Sequence, residues 1–371
     1  MKVVIAHVPA GSGHQRAAEA VYSALHTLSP SSQVTLLDSL RGFDACYRSS
    51  FTQGYLGLID QAPALWGLSY HLTDCAALSG AVRRCHRLSN KLHAGGLEKI
   101  LSDLQPDVFV STHFTPSEVA VAFKSRRRPS MRVITVITDY LPHTLWIAPS
   151  ADAYVVGSHP ARERLMARGV PGGAIHLLGI PIDPKFARKN ERLPLAKRLG
   201  LSADRFTILV GSGGAGTGPV TSIIHALNQI QKPIQILAVA GKNTNLFKKL
   251  EALRPKLRHP MRSYGFIQNM DELMDLSDLL VSKPGGLTCA ESMAKGLPLL
   301  MTAPIPGQEA HNAGWLEGMG AALWVRRLSQ LPREVEQLIQ APDRLQEIGR
   351  RARAAGFPDA ALQVARLALG V

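Results

Sequence analysis

Three loops of this chain carry residues whose types and spacing can do chemistry. In the most informative, the strand-like run Leu279–Ser282 gives way to Lys283, Pro284, Gly285, Gly286, Leu287 and Thr288, then to a helical pattern carrying Glu291. Glycines expose backbone N–H groups, and a helix start adds the positive end of its dipole; with the Thr288 hydroxyl these suit a phosphate. A carboxylate one turn on, Glu291, can take both hydroxyls of a ribose. Downstream, Pro304–Asn312 brings Gln308 and Glu309, which can accept from and donate to sugar hydroxyls. A diphosphate cradle, a ribose acceptor and a sugar-reading pair together describe a nucleotide-diphosphate-sugar site.

The second loop follows Ile208–Val210 and runs Gly211, Ser212, Gly213, Gly214 and on to Gly218. Gly211, Gly213 and Gly216 form a GxGxxG after an expected strand, so an NAD-dependent oxidoreductase is a rival reading. That fingerprint wants an acid about 20 residues on, at the end of the next strand. Here that strand ends Ala238-Val-Ala-Gly-Lys242. The loop still suits a diphosphate, but the NAD reading lacks its discriminating residue. The third loop, Pro9–Arg16, holds Gly11, Gly13 and His14 at the start of a helix whose Ala17, Val21, Leu25 and Leu28 recur at helical spacing. His14 is placed there to reach into an interdomain cleft.

These loops need strands to hold them. Apolar runs predict strands at Val3–Ala6, Val34–Leu37, Val108–Ser111, Val133–Ile137, Ala153–Val156 and Ile175–Leu178. A second series is predicted at Phe206–Val210, Ile234–Ala240, Leu279–Ser282, Leu299–Met301 and Leu323–Val325. Continuous apolar strands alternating with helices mean parallel sheets buried on both faces. The expected fold class is α/β, with two doubly wound, Rossmann-like domains facing each other across a cleft. An N-terminal domain is expected over 1–180, a Pro-containing linker over 181–204 and a C-terminal nucleotide domain over 205–355. A final helix over 356–371 is expected to pack back on the N-terminal domain.

Composition narrows the class. Hydrophobic residues make up 46% and charged residues 19% of the 371, which excludes a disordered chain. No apolar run reaches the length of a membrane span, and Met1–Ala6 enters a strand directly rather than a signal peptide, so a cytoplasmic protein is expected. Cys46, Cys75, Cys85 and Cys289 show no CxxC spacing, against structural zinc or a disulfide framework. The net charge of +14 attracts polyanions, but no aromatic–basic RNA-binding signature is present and no nucleic-acid partner is expected.

Ser282–Glu291, Gly296-Leu-Pro298 and Pro306-Gly-Gln-Glu309 resemble the donor-site signature of processive diacylglycerol glucosyltransferases. They are similar, more loosely, to plant-type monogalactosyldiacylglycerol synthases and to the transferase that makes lipid II. Gly11–His14, Thr138-Asp-Tyr140, His143, Trp146 and Gly179–Pro184 match the same family in order, and Tyr55–Tyr70, with Pro63 and Trp66, resembles its acceptor-domain insertion. The resemblance implies a GT-B fold, a UDP-sugar donor, inversion to a β-glycoside, and neither metal nor other cofactor. Relatives often carry an acid in the second glycine loop, where this chain has Ala215. Glucose, galactose and N-acetylglucosamine all stay open as the sugar.

The same resemblance sets the acceptor as diacylglycerol or glycosyldiacylglycerol, and implies Gly13, Tyr55, Trp66, His143 and Trp146 as acceptor-side residues. Phe51, Tyr55, Leu58, Ala62, Leu65 and Trp66 form an apolar stripe, and Arg83, Arg84, Arg87 and Lys91 a basic face. Such a pairing suits peripheral docking on anionic lipid at the inner face of the cell membrane. The expected chemistry is direct displacement, with His14 or Asp139 as the base. The alternatives are a lipid II-type N-acetylglucosaminyltransferase, the NAD-dependent oxidoreductase and a non-enzymatic anionic-lipid binder.

Overall fold

The computed structural model describes residues 1–371 except Ala10, Gly11 and Ser212, and leaves out the side chains of Thr52, Gln53, Tyr55, Leu56, Ile59, Asp60 and Ala76. The chain forms two compact units. The first comprises Met1–Pro184, Ile305–His311 and Asp359–Val371; the second comprises Lys185–Pro304 and Asn312–Pro358.

The first unit is built on six strands: β1 (Lys2–His7), β2 (Gln33–Asp38), β3 (Val108–Ser111), β4 (Arg132–Val136), β5 (Ala153–Val156) and β6 (Ile175–Leu177). All pair in parallel, in the order β2-β1-β3-β4-β5-β6. The inner strands are buried along their length, as helices on both faces require. On one face Val3, Ile5, Val110 and Ile134 pack with Ala18, Val21 and Leu25 of the helix Gly13–Leu28. Ala361, Val364, Ala365 and Ala368 of the terminal helix Ala360–Leu369 join the same cluster.

The second unit holds β7 (Phe206–Gly211), β8 (Ile234–Val239), β9 (Met261–Tyr264), β10 (Leu279–Ser282), β11 (Leu299–Met301) and β12 (Ala322–Trp324), ordered β12-β11-β10-β7-β8-β9, again all parallel. Eleven of these twelve strands coincide with apolar runs of the sequence to within a residue or two at each end. β9 does not: its sequence, Met261-Arg-Ser-Tyr264, is short and exposes Arg262. It is an edge strand, paired only with β8, and an edge needs no continuous apolar run.

The stretch 181–204, expected as a linker, instead folds partly as a helix, Arg192–Leu199. Its Leu195 and Ala196 bury against Leu276, so the stretch from Lys185 belongs to the second unit.

In both sheets the strand order reverses direction once. In the first the reversal lies between β1 and β3, in the second between β7 and β10. Connections leave to opposite faces there, opening a crevice at the carboxyl ends of the strands where ligands bind. The loops after β1, β3, β7 and β10 therefore matter most.

Candidate functional site

In the first unit, three neighbouring strand ends converge on one imidazole. His14 opens the helix after β1, Thr112 and His113 follow β3, and Thr138 and Asp139 follow β4. His14 Nδ1 lies 2.8 Å from the Thr112 carbonyl oxygen and 3.0 Å from Thr138 Oγ1. A carbonyl only accepts, so Nδ1 carries the proton and Nε2 holds the lone pair. The Thr112 hydroxyl donates in turn to the His14 carbonyl, at 2.8 Å. Burial lowers the His14 pKa to about 4, with the Thr112 bond opposing and His7 adding to the fall. At neutral pH this is an uncharged imidazole able to accept a proton.

Asp139 Oδ2 accepts the Trp146 indole N–H at 3.2 Å. Burial pushes its carboxyl up to about 6, and Glu309 adds to the rise. Trp146 is only 2% exposed, its ring 6.2 Å from that of His14. It therefore forms a buried wall that holds Asp139. His143 is buried as well. Its Nδ1 accepts the Leu145 N–H, leaving Nε2–H to donate to Thr73 Oγ1 at 3.1 Å. The Tyr70 ring lies 4.7 Å away, and burial lowers the His143 pKa to about 4. Next along the helix Pro63–Asp74 from Thr73, Asp74 accepts the Thr144 N–H and pairs with Arg164 and Arg168.

Gln308 and Glu309 belong to this first unit, whereas the sequence placed them with the nucleotide domain. The reason is close packing. Pro306 sits where a side chain on Gly67 would stand, and Gly307, at φ +93°, lies against the Tyr70 ring. The Glu309 carboxylate is buried and accepts the Ile305 N–H at 2.8 Å. Gln308 Oε1 is buried with no hydrogen-bond partner among the described residues. A buried acceptor left unpaired is costly and calls for a donor.

The second unit holds the two glycine loops expected as an anion cradle. Gly213, Gly216 and Gly218 all have positive φ. At Gly216 a Cβ would meet the Ala240 carbonyl oxygen at 2.0 Å, and at Gly241 the Gly214 carbonyl oxygen at 2.6 Å. The loop after β7 thus lies directly on the loop after β8, fixed by Lys242 N–H to Gly214 O (2.9 Å) and by Asn243 Nδ2 to Gly216 O (3.0 Å). Gly213 also comes within 4.0 Å of the Lys283 side chain, measured from its would-be Cβ, so both glycine loops meet at the sheet's reversal. The helix Gly286–Lys295 starts there with Gly285 as its N-cap, bringing Pro284, Leu287 and Thr288 to the same corner and Glu291 to a half-exposed position. Asn312 holds this corner by donating to the Pro284 carbonyl at 3.1 Å. The other end of the helix is pinned by Lys295, which pairs with Asp275 at 2.7 Å and donates to the Arg188 carbonyl. Gly211 ends β7 at this corner; Ser212 lies outside the described residues.

The expected membrane face is redistributed. Phe51 stacks on Tyr47 and meets His113 edge-on at 6.0 Å, so it faces inward. The Tyr55 side chain lies outside the description, and Trp66 is half-buried beside Tyr70. Of that stripe Leu65 is exposed, and Leu68 and Leu72 of Pro63–Asp74 and Leu78, Leu88 and Leu92 of Ala76–His93 are exposed large apolar side chains beside it in sequence. The second of these helices turns Asn90 and His86 inward, onto Glu118. Arg84, Arg87 and Lys91 are exposed beside the leucines, but Arg87 lies 3.7 Å from Glu118. Arg83 is half-buried, its Nε lacking a hydrogen-bond partner among the described residues. It thus does not stand on the open face with the others.

Sequence reasoning missed Thr112 and His113, Gly241 and Asn243, and Asn312. The first four follow the ends of β3 and β8, so the rule that ligands bind after strands would have found them. Asn312, inside a helix, gives no such signal.

Residues 14–182 match the monogalactosyldiacylglycerol (MGDG) synthase family, and residues 206–364 match the glycosyltransferase family 28 C-terminal domain. The chain thus carries the domains of the MGDG synthase and glycosyltransferase family 28 families, which together span most of its length. The processive diacylglycerol beta-glucosyltransferase of Bacillus subtilis (strain 168) is 30% identical over 251 residues, covering 67% of this chain and 65% of its own length. That of Bacillus pumilus (strain SAFR-032) is 28% identical over 253 residues, covering 68% and 65%. The match thus spans just under two thirds of those relatives. Among solved structures, Acinetobacter baumannii MurG superposes with a TM-score of 0.63 at 16% identity, covering both chains fully. Anabaena HepE in complex with UDP-glucose gives 0.58 at 14%, covering 100% of this chain and 99% of its own. At such identities the likeness establishes the fold, which is GT-B.

Proposed function

We propose that the protein is a membrane-associated, inverting glycosyltransferase that moves a hexose from UDP-glucose or UDP-galactose to diacylglycerol, making a β-glycosyldiacylglycerol. The observation that carries this reading is the corner where the two glycine loops of the second unit meet at the start of Gly286–Lys295. Backbone N–H groups, a helix dipole and the Lys283 ammonium there suit a diphosphate. Glu291, one turn into that helix, is the residue we assign to the ribose. The family matches and the names of the relatives point the same way: those Bacillus proteins are diacylglycerol glucosyltransferases, and HepE was solved with UDP-glucose.

The chemistry divides between the units. The second holds UDP. The first handles the lipid hydroxyl, with His14 Nε2 as base. The hydroxyl proton passes to Nε2 as the oxygen attacks the anomeric carbon; the C1–O bond to the β-phosphate breaks, and UDP leaves with the electron pair. The helix start and Lys283 stabilise the charge that develops on the diphosphate, in the role a cation plays elsewhere. Turnover is therefore expected to persist in excess EDTA. The exposed leucine rows flanked by Arg84, Arg87 and Lys91 support docking on an anionic inner leaflet. No helix among the described residues is long and apolar enough to cross a membrane.

The test is incubation with radiolabelled UDP-glucose, UDP-galactose or UDP-N-acetylglucosamine and anionic vesicles containing diacylglycerol, followed by separation of the lipid products. Label in a glycosyldiacylglycerol from one of the two hexose donors is the expected result. Label only from UDP-N-acetylglucosamine, or none in lipid, contradicts it.

A further inference from the structure

We propose that His113 is a positioning residue for His14: its ring walls the imidazole and fixes its plane, while Thr112 and Thr138 hold Nδ1 and leave Nε2 to act. What Nε2 then does rests on the glycosyl-transfer reading; the geometry does not.

The two histidines reach each other from β1 and β3, which are neighbours at the reversal of the first sheet. Their ring centroids are 4.8 Å apart and their planes stand at 86°. His113 is itself immobilised. It is 3% exposed, stacks on Phe114 at 4.1 Å, and meets Phe51 edge-on. Its Nδ1 accepts the Thr115 N–H at 3.2 Å, capping the helix Phe114–Arg127. That bond fixes the tautomer, leaving the proton on Nε2. Burial holds its pKa well below the ordinary value, so it stays neutral. His14 has the opposite tautomer, set by Thr112 and Thr138. Those bonds hold one edge of the ring, but a ring held by one edge still tilts about that bond. His113 and Trp146, at 4.8 and 6.2 Å, bound the tilt. A side chain walled by rings whose own rotamers are locked is the arrangement a well-positioned base needs. Among the described residues, the titratable and charged groups around His14 are few. His7 lies on β1, His113 follows β3, Asp139 follows β4 and is held by Trp146, and Arg16 and Glu19 lie on its own helix.

Two substitutions of His113 separate the wall from the cap. His113→Asn keeps an acceptor for the Thr115 N–H but removes the ring. His113→Phe keeps a ring but removes the acceptor. The readouts are the NMR titration of the His14 ring in the full-length protein, kcat, and the KM for the UDP-hexose. With the asparagine variant we expect the His14 pKa to rise from about 4 towards 6.5 as water enters. Its kcat should fall by about 10- to 100-fold, the scale on which small misplacements act, with donor KM unchanged. The phenylalanine variant should keep the low His14 pKa and most of kcat. If the asparagine variant leaves His14 titration and kcat as they were, the proposal is wrong. It is equally wrong if the phenylalanine variant loses both, since the cap would then be the whole role. Should the asparagine variant not fold, His113→Gln serves as the ringless form, with the same outcomes. The titration needs no turnover, so failure of the glycosyl-transfer reading would show separately, as a wild-type protein without activity.

Discussion

Two residues with opposed proton affinities sit against one indole, and this fixes what acid should do. His14, lowered to about 4 from 6.5, binds a proton less readily folded than unfolded. Its contribution to stability is present above 6.5 and is lost as pH falls from 6.5 towards 4. Asp139, raised to about 6 from 3.8, does the reverse, and its contribution is lost as pH rises through 6. The two terms oppose each other over nearly the same range, so stability should change little between pH 4 and 6 on their account. Activity separates them. In Asp139→Asn the carboxyl no longer titrates, and with His14 as base the acid limb of kcat/KM should lie near pH 4. A limb remaining near 6 would assign the proton to another group. His14→Ala should lower turnover by about 10²- to 10⁴-fold while UDP affinity, measured by calorimetry, stays as it was; turnover near the wild-type level would remove His14 from the mechanism. Glu291→Ala should instead weaken UDP binding by about 1–3 kcal/mol, and an unchanged dissociation constant would contradict its place at the ribose.

Elements hold these residues through a few close contacts. Gly216 has φ +67° and no room for a Cβ against Ala240. Gly216→Ala should therefore shift the loop off its neighbour and abolish measurable UDP binding without unfolding the protein; wild-type affinity would show that the loops are not the cradle. Lys295 and Asp275 form a buried pair. Asp275→Ala leaves a buried ammonium with one carbonyl partner and takes away the acceptor of the Asn190 N–H and side-chain amide, and should cost about 3–5 kcal/mol. Chemical denaturation of the variant checks this, and wild-type stability would contradict it. At this scale the sequence was most readable. Buried parallel strands need continuous apolar runs, so eleven strands and the turns that follow them stood out. β9 was hidden because an edge strand carries Arg262. The linker reading failed because Leu195 and Ala196 make too short an apolar pattern to register within a basic, Pro-containing stretch. Gln308 and Glu309 stood out as candidate sugar readers, but nothing local announced that Gly67 and Gly307 would seat their segment on the helix Pro63–Asp74.

For the whole molecule, the proposed docking joins the net charge of +14 to the exposed leucines. Leu65, Leu68, Leu88 and Leu92 are each more than half exposed, and burial of apolar surface does not depend on salt. Replacing these four by serine should weaken vesicle binding at every ionic strength. Replacing Arg84, Arg87 and Lys91 by glutamine should weaken it sharply only at low salt, because that attraction is screened. Cosedimentation with neutral and anionic vesicles reads both effects, and equal binding of the parent protein to the two vesicle types would contradict electrostatic docking. The central claim, that this fold joins a hexose to a lipid alcohol by direct displacement, is tested most directly by the stereochemistry of the product. The protein is incubated with its UDP-α-hexose donor and diacylglycerol, the glycolipid is isolated, and the anomeric proton coupling is read by NMR. The account predicts a β-glycosyldiacylglycerol as the sole product. An α-linked product, or release of free hexose with no glycolipid, would contradict it.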